Sequence, residues 1–316
     1  MDREERLRRR EEARRRTLRQ RRLVAAAVLG VAVLGIAVAG TALMGGNGGE
    51  AAAGERELPR GGTEILPRNR VVAFYGAPQS DELGALGIGR PSQAAAKLDR
   101  QARAYRKGGK PILPAFELIA TVANDSPGSH GRYSTRQDPK TIGRYLRAAR
   151  KHKALLVLDI QPGRSDFMTE ARVLRRWLEQ PDVSLALDPE WKMGPNQVPG
   201  EQIGSTTAAD VNAVARWMSR IVKDEGLPQK LLVVHRFTKS MIRNEHALKK
   251  HAGVAMTINI DGFGTQAQKI AKYKEFTRDF KARLNGFKLF YKEDTNLMRP
   301  GRVLRLKPRP DFVVYE

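Results

Sequence analysis

From residue 70 onward, apolar positions alternate between short runs of strand length and longer stretches with helical spacing. The strand-like runs are RVVAFYG (70–76), ILPAFELIA (112–120), ALLVLDI (154–160), VSLALD (183–188), KLLVVHRF (230–237), VAMTINID (254–261), GFKLFY (286–291) and DFVVYE (311–316). Helix-like segments separate them. One runs from Pro91 to Lys107. A second opens at Asp138-Pro139, an N-cap followed by proline at the first helical position. A third opens at Ser165, with Val173, Leu174, Trp177 and Leu178 on one face, and a fourth near Thr206, with Val211, Val214, Ala215 and Met218. Lys239–His251 and Thr265–Leu284 read as further helices, and Pro300–Lys307 as a short turn of helix.

Strands alternating with helices predict a parallel sheet. Eight strands within residues 71–316 predict an α/β fold of the closed (β/α)8 TIM-like type. Side chains alternate faces along a strand. In the fourth run Ser184, Ala186, Asp188 and Glu190 therefore share the inward face, while Leu185 and Leu187 meet the helices. In the sixth, Ala255, Thr257, Asn259 and Asp261 oppose Met256, Ile258 and Ile260. The segment from Gly194 to Gly204, with Pro195 and Pro199, is expected to overhang the barrel mouth as a lid.

The chain before residue 70 has a different character. Residues 1–22 hold eleven Arg and five acidic residues, and residues 23–44 hold no charge. As a helix, that apolar stretch rises roughly 33 Å, enough to cross a bilayer core. Arginine on one side only predicts a cytoplasmic tail (1–22), a single transmembrane signal anchor (23–44) that preceded the barrel, and an extracytoplasmic remainder at the cell membrane. Cleavage near Ala37-Val38-Ala39 is the rival reading. Residues 45–69 are Gly-rich without apolar periodicity and read as a flexible linker to an extracytoplasmic barrel at 70–316.

Composition narrows the chemistry. The chain carries 57 Lys+Arg against 34 Asp+Glu, net +23, and no cysteine. Disulfides, thiolate metal sites and cysteine nucleophiles are excluded. With +6 in the tail, +17 remains beyond it, which makes an anionic cell-wall polymer or glycan a plausible partner beside the membrane lipid around the span. Glu pairs interrupt the tail's arginine runs and no aromatic residue accompanies them, so no nucleic acid is expected. No phosphate loop, dinucleotide fingerprint or GxSxG is present, and no cofactor is expected.

Active sites of such barrels lie at the C-terminal strand ends. Polar residues gather there: Tyr75, Glu117, Asp159 with Gln161, Asp188 with Glu190 and Trp191, His235, Asn259 with Asp261, and Tyr291. Glu190, Asp188, Asp159 and Glu117 are the catalytic candidates. Tyr75, Gln161, Trp191, His235, Asp261 and Tyr291 are the substrate-binding candidates, Trp191 as a sugar platform. Asp188 is expected to orient Glu190 or to raise its pKa by like charge. Trp177 and Trp217 lie on apolar helix faces and read as core.

Asp188-x-Glu190, closing the fourth strand, resembles the strand-four acid motif of TIM-barrel glycoside hydrolases such as the chitinase-like and muramidase-like barrels. The resemblance implies Glu190 as proton donor. Val183 and Ala186 stand where the chitinase-like pattern has Asp, and Pro189 where the large retaining clan has Asn. Through LDIQPGRSDF, LALDPEW and LRLKPRPDFVVYE the chain also resembles uncharacterised exported proteins of high-GC Gram-positive bacteria. Three functions fit these residues: a glycosidase-like hydrolase working by carboxylate acid/base catalysis, a metal-dependent barrel hydrolase or isomerase, and a non-catalytic binder of wall polymer. Glu117, Asp159, Glu190, His235 and Asp261 supply oxygen and imidazole donors for the second, but no HxH or HExxH spacing is present and no metal ligand is assigned.

Overall fold

The computed structural model describes residues 56–278 and 284–316. The basic tail, the apolar span and the linker up to residue 55 lie outside the described residues. Among the described residues no helix is long and apolar enough to cross a membrane.

All eight expected runs form strands: β1 (Arg70–Gly76), β2 (Ile112–Ala123), β3 (Leu155–Ile160), β4 (Val183–Leu187), β5 (Lys230–Arg236), β6 (Val254–Ile260), β7 (Leu284–Leu289) and β8 (Phe312–Tyr315). Each pairs in parallel with the next, and β8 pairs back onto β1, closing the barrel. The helices are α1 (Pro91–Arg103), α2 (Pro139–Lys151), α3 (Phe167–Val173), α4 (Arg175–Leu178), α5 (Ala208–Asp224), α6 (Gln266–Thr277) and α7 (Pro300–Val303). Local chemistry fixes their starts. Asp138 accepts from Lys140 N at 2.8 Å ahead of Pro139, and Thr207 with Asp210 and Thr265 with Gln268 form capping boxes.

Strand parity divides the core into two shells. Val71, Ala73, Ala115, Val157, Ala186, Leu231, Val233, Ala255 and Val314 fill the barrel interior. Val72, Leu156, Leu158, Leu185, Leu187, Val234 and Ile258 pack outward against helix residues such as Tyr145, Val211, Val214 and Met218. Leu185 and Leu187 thus lie under helices and Ala186 inside the barrel, as the alternation predicts.

Four expectations need correction. Part of the stretch read as linker is folded: Leu58, Ile65 and Leu66 are buried in the interior shell and stop the N-terminal end of the barrel. Gln229 Oε1 accepts Ile65 N and Leu66 N at 2.8 Å each, and Arg60 donates to Lys153 O and Ile112 O at 3.1 Å. Lys239–His251 is not a helix but two short 3-10 turns, Lys239–Met241 and Glu245–Ala247, flanking Ile242–Arg243, which pairs with Thr206–Thr207. Asn244 takes a left-handed φ of 55°, and the Asn212 amide binds Ala247 O and Lys249 N at 2.8 Å each, supplying bonds a helical ladder would otherwise make. The segment opening at Ser165 is capped by Asp166 and breaks at Leu174, so Leu174 and Leu178 are buried while Val173 is 47% exposed. The helix expected over 265–284 ends at Thr277, and Leu284 opens β7; residues 279–283 lie outside the described residues.

Candidate active site

Every barrel strand contributes an inward ionisable side chain at or just past its C-terminal end, apart from β2, whose Glu117 lies at mid-strand opposite Tyr75. In order around the barrel these are Tyr75, Glu117, Asp159, Asp188, His235, Asp261, Lys288 and Glu316, all of them buried. Burying so many ionisable groups is costly unless they pair, and the ring is heavily cross-linked.

His235 sits at its centre. Its Nδ1 lies 2.7 Å from Asp261 Oδ2 and its Nε2 lies 2.9 Å from Glu117 Oε1. Burial alone would lower the imidazole pKa, but the carboxylates of Asp261 and Glu117 overcome this and hold it well above the ordinary value. In that charged form both ring nitrogens donate. Asp261 is in turn fixed by the Asn259 amide, which donates to its Oδ1. Burial would raise the Asp261 carboxyl, yet the charges of His235 and Lys288 pull it below the usual range. Asn259 needs a glycine opposite it: a Cβ on Gly286 would come within 2.5 Å of Asn259 Oδ1.

On the other side of the ring, Tyr75 donates to Asp159 Oδ2 at 3.0 Å and accepts from Gln161 Nε2 at 2.9 Å. Asp159 Oδ1 lies 4.0 Å from His235 Nε2. Burial, with Glu117 adding to it, pushes the Asp159 carboxyl up to about 7 against the opposing pull of His235, Lys288 and Tyr75. Asp188 is pushed well above the carboxylate range by burial and by the charge of Glu190. Lys288 pairs with Glu316 Oε2 at 2.8 Å, lies 3.7 Å from Asp261 Oδ2 and stands 3.7 Å over the Tyr75 ring. Burial would lower its pKa, but Glu316, Asp261 and Asp188 hold it above the ordinary lysine value.

Glu117, Asp159, Asp188, His235, Asp261 and Tyr75 therefore converge as their strand-end positions predict. The remaining candidates fall elsewhere or in other roles. β4 ends at Leu187, so Glu190 lies on the 3-10 turn Pro189–Trp191 at the rim, half-buried, and the strand alternation does not reach it. Asp188, expected to act on Glu190, has its own carboxyl raised, by burial first and then by the Glu190 charge. Trp191 is buried at 8% exposure, not displayed as a platform. Gln161 has its amide nitrogen on Tyr75 and its oxygen on Ala123 N at 3.1 Å, and buttresses the wall. Tyr291 is 42% exposed, stacks on Tyr315 at 5.3 Å and reaches Gln101 of α1, outside the barrel wall. The 194–204 segment is tied to the loop after β3, with Arg164 Nε donating to Gln197 O at 2.9 Å and Met193 N to Gly163 O at 2.7 Å.

Sequence reasoning missed Lys288 and Glu316, although parity carries the signal. Phe287 and Leu289 face the helices, as do Val313 and Tyr315, so Lys288 and Glu316 point inward.

No family model matches the chain, and no curated protein does. Solved structures do. A 2,3-dimethylmalate lyase of the PEP mutase/isocitrate lyase superfamily aligns at TM-score 0.46 and 11% identity, over 79% of this chain and 77% of that one. The spore coat polysaccharide biosynthesis protein spsE of Bacillus subtilis aligns at 0.45 and 10%, over 80% and 62%. A GH5-4 broad specificity endoglucanase from Clostridium longisporum aligns at 0.41 and 9%, over 80% and 86%. The chain's own strand order defines it as a (β/α)8 barrel, and its site as a buried ring of ionisable groups at the C-terminal strand ends.

Proposed function

We propose that this barrel is a glycoside-hydrolase-like enzyme acting on a cell-wall or extracellular glycan, held outside the membrane by residues 23–44. The observation that carries the reading is the split between Asp188 and Glu190. Asp188 is buried, which with the neighbouring charge holds its carboxyl well above the ordinary carboxylate range, while Glu190, two residues on, is half-buried at the rim and places its charge beside it. A buried carboxyl with raised proton affinity beside a half-buried one at the rim is a pairing that supplies an acid and a base for glycosidic cleavage. In this mechanism Asp188 gives its proton to the departing glycosidic oxygen, and Glu190 takes one from the attacking water. The net positive charge beyond the anchor favours an anionic wall polymer as the substrate or its neighbour.

The test is reducing-sugar release by the full chain from purified wall material and a panel of glycans. Asp188→Asn and Glu190→Gln are each expected to lower turnover by roughly 10²–10⁴-fold with the fold retained. Binding to wall polymer without hydrolysis by the wild type would replace this reading with a non-catalytic one. Protease treatment of intact protoplasts tests the placement, and survival of the barrel would overturn it.

A further inference from the structure

We infer that Glu117, Asp159 and His235 form a binding site for one divalent first-row cation such as Mn²⁺ or Zn²⁺, at the centre of the barrel mouth. One donor atom from each residue lies within 4.8 Å of the other two, and all three side chains are fully buried. Glu117 Oε2 and Asp159 Oδ1 are buried and have no hydrogen-bond partner among the described residues. Orphaned carboxylate oxygens in a protein interior are expensive, and a cation shared between them removes that cost.

The surroundings of His235 fit the same reading. Asp261 Oδ2, 2.7 Å from Nδ1, fixes the proton on that nitrogen and is itself held by Asn259. This is the carboxylate–imidazole pairing that orients metal-ligating histidines, and it directs Nε2 at the ligand position. Nε2 faces Glu117 Oε1 at 2.9 Å and Asp159 Oδ1 at 4.0 Å, so a cation there takes the place of the Nε2 proton. Two carboxylates and one imidazole suit a borderline or moderately hard divalent ion and leave coordination positions for water or substrate oxygen. Lys288, the lysine of the same ring, is engaged by Glu316 at 2.8 Å. The five ring acids Glu117, Asp159, Asp188, Asp261 and Glu316 outnumber the two ring bases.

This inference goes beyond the glycosidase reading and does not depend on it. The test uses the full chain in detergent, stripped with EDTA and titrated with Mn²⁺, with free Mn²⁺ read by electron paramagnetic resonance. One ion per chain is expected, displaced by Zn²⁺. Asp159→Asn and Glu117→Gln are each expected to weaken binding at least 10-fold, and Asp261→Asn by about 10–100-fold through His235. Glu275→Gln, on the exposed face of α6, is expected to change nothing. Circular dichroism confirms the fold of each variant. Should Asp159→Asn not fold, Glu117→Gln and Asp261→Asn carry the comparison. Absence of saturable binding by the wild type, or wild-type affinity in the folded ring variants, would overturn the site. Binding is read without substrate, so its outcome is separate from that of the glycan assay.

Discussion

The Tyr75 hydroxyl donates to Asp159 Oδ2 at 3.0 Å across the barrel interior, joining β1 to β3 over the intervening β2. The same oxygen accepts from Gln161 at 2.9 Å, and Lys288 stands 3.7 Å over the ring. One aromatic residue thus serves an acid through its edge and a base through its face.

Tyr75→Phe separates these two roles. The ring that meets Lys288 stays, while Asp159 Oδ2 and Gln161 Nε2 lose their shared partner in a buried site. The expected cost is about 1–3 kcal/mol of unfolding free energy, read by urea denaturation. Tyr75→Leu removes the ring as well and is expected to cost more. Equal costs would mean that the contact over the ring contributes nothing.

Lys288 and Glu316 form the second linkage. Lys288→Met leaves Glu316 and Asp261 without their common cation, and such losses cost about 3–5 kcal/mol. Adding Glu316→Gln to that variant is expected to return part of the loss, a coupling of about 0.5–3 kcal/mol in a double-mutant cycle. Strict additivity of the two single costs would show that the pair is not coupled.

The barrel was legible because strand periodicity, helix caps and the inward alternation all agree. Val183 to Leu187 shows this best, with its leucines outward and its small residues inward. The same alternation misleads at Glu190, because Pro189 opens a 3-10 turn and ends the period of two. Tyr291 failed for a similar reason: β7 ends at Leu289, and the tyrosine beyond it packs on Tyr315 instead of entering the mouth. Lys239–His251 has helical composition, but the bonds that organise it come from Asn212 on α5, far away in the chain. The fold of residues 56–69 has no periodic signature, since its apolar anchors, Leu58, Ile65 and Leu66, gain their meaning only from the open end of the barrel they fill.

That end offers its own test. Ile65 is fully buried beneath the barrel interior. Ile65→Ala is expected to cost about 2–5 kcal/mol, like other large-to-small changes in a packed core. Glu57→Ala, at an exposed position of the same segment, is expected to stay within about 0.5 kcal/mol of the wild type. A neutral Ile65→Ala would restore the reading of this segment as a tether.

Lys230 supplies a pH dependence whose sign follows from its surroundings. It is buried at the start of β5, where Nζ donates to Val183 O at 2.8 Å and to Gln180 O. Burial lowers its pKa from 10.5 to about 7, with Asp182 opposing and Arg56 adding to the fall. The folded chain therefore gives up this proton near pH 7, and the unfolded chain keeps it to about pH 10.5. Below about 7 both states hold the proton, and the penalty for burying the charge is fully present. Between those limits the unfolded state binds more protons, so the Lys230 contribution to stability rises with pH, by up to about 1.4 kcal/mol per unit. Lys230→Met removes this contribution. Urea midpoints at pH 7, 8, 9 and 10 should then show the wild type gaining on the variant as pH rises. A difference that stays flat across that range would mean that the two carbonyls stabilise the ammonium enough to offset its burial, leaving Lys230 with an ordinary proton affinity.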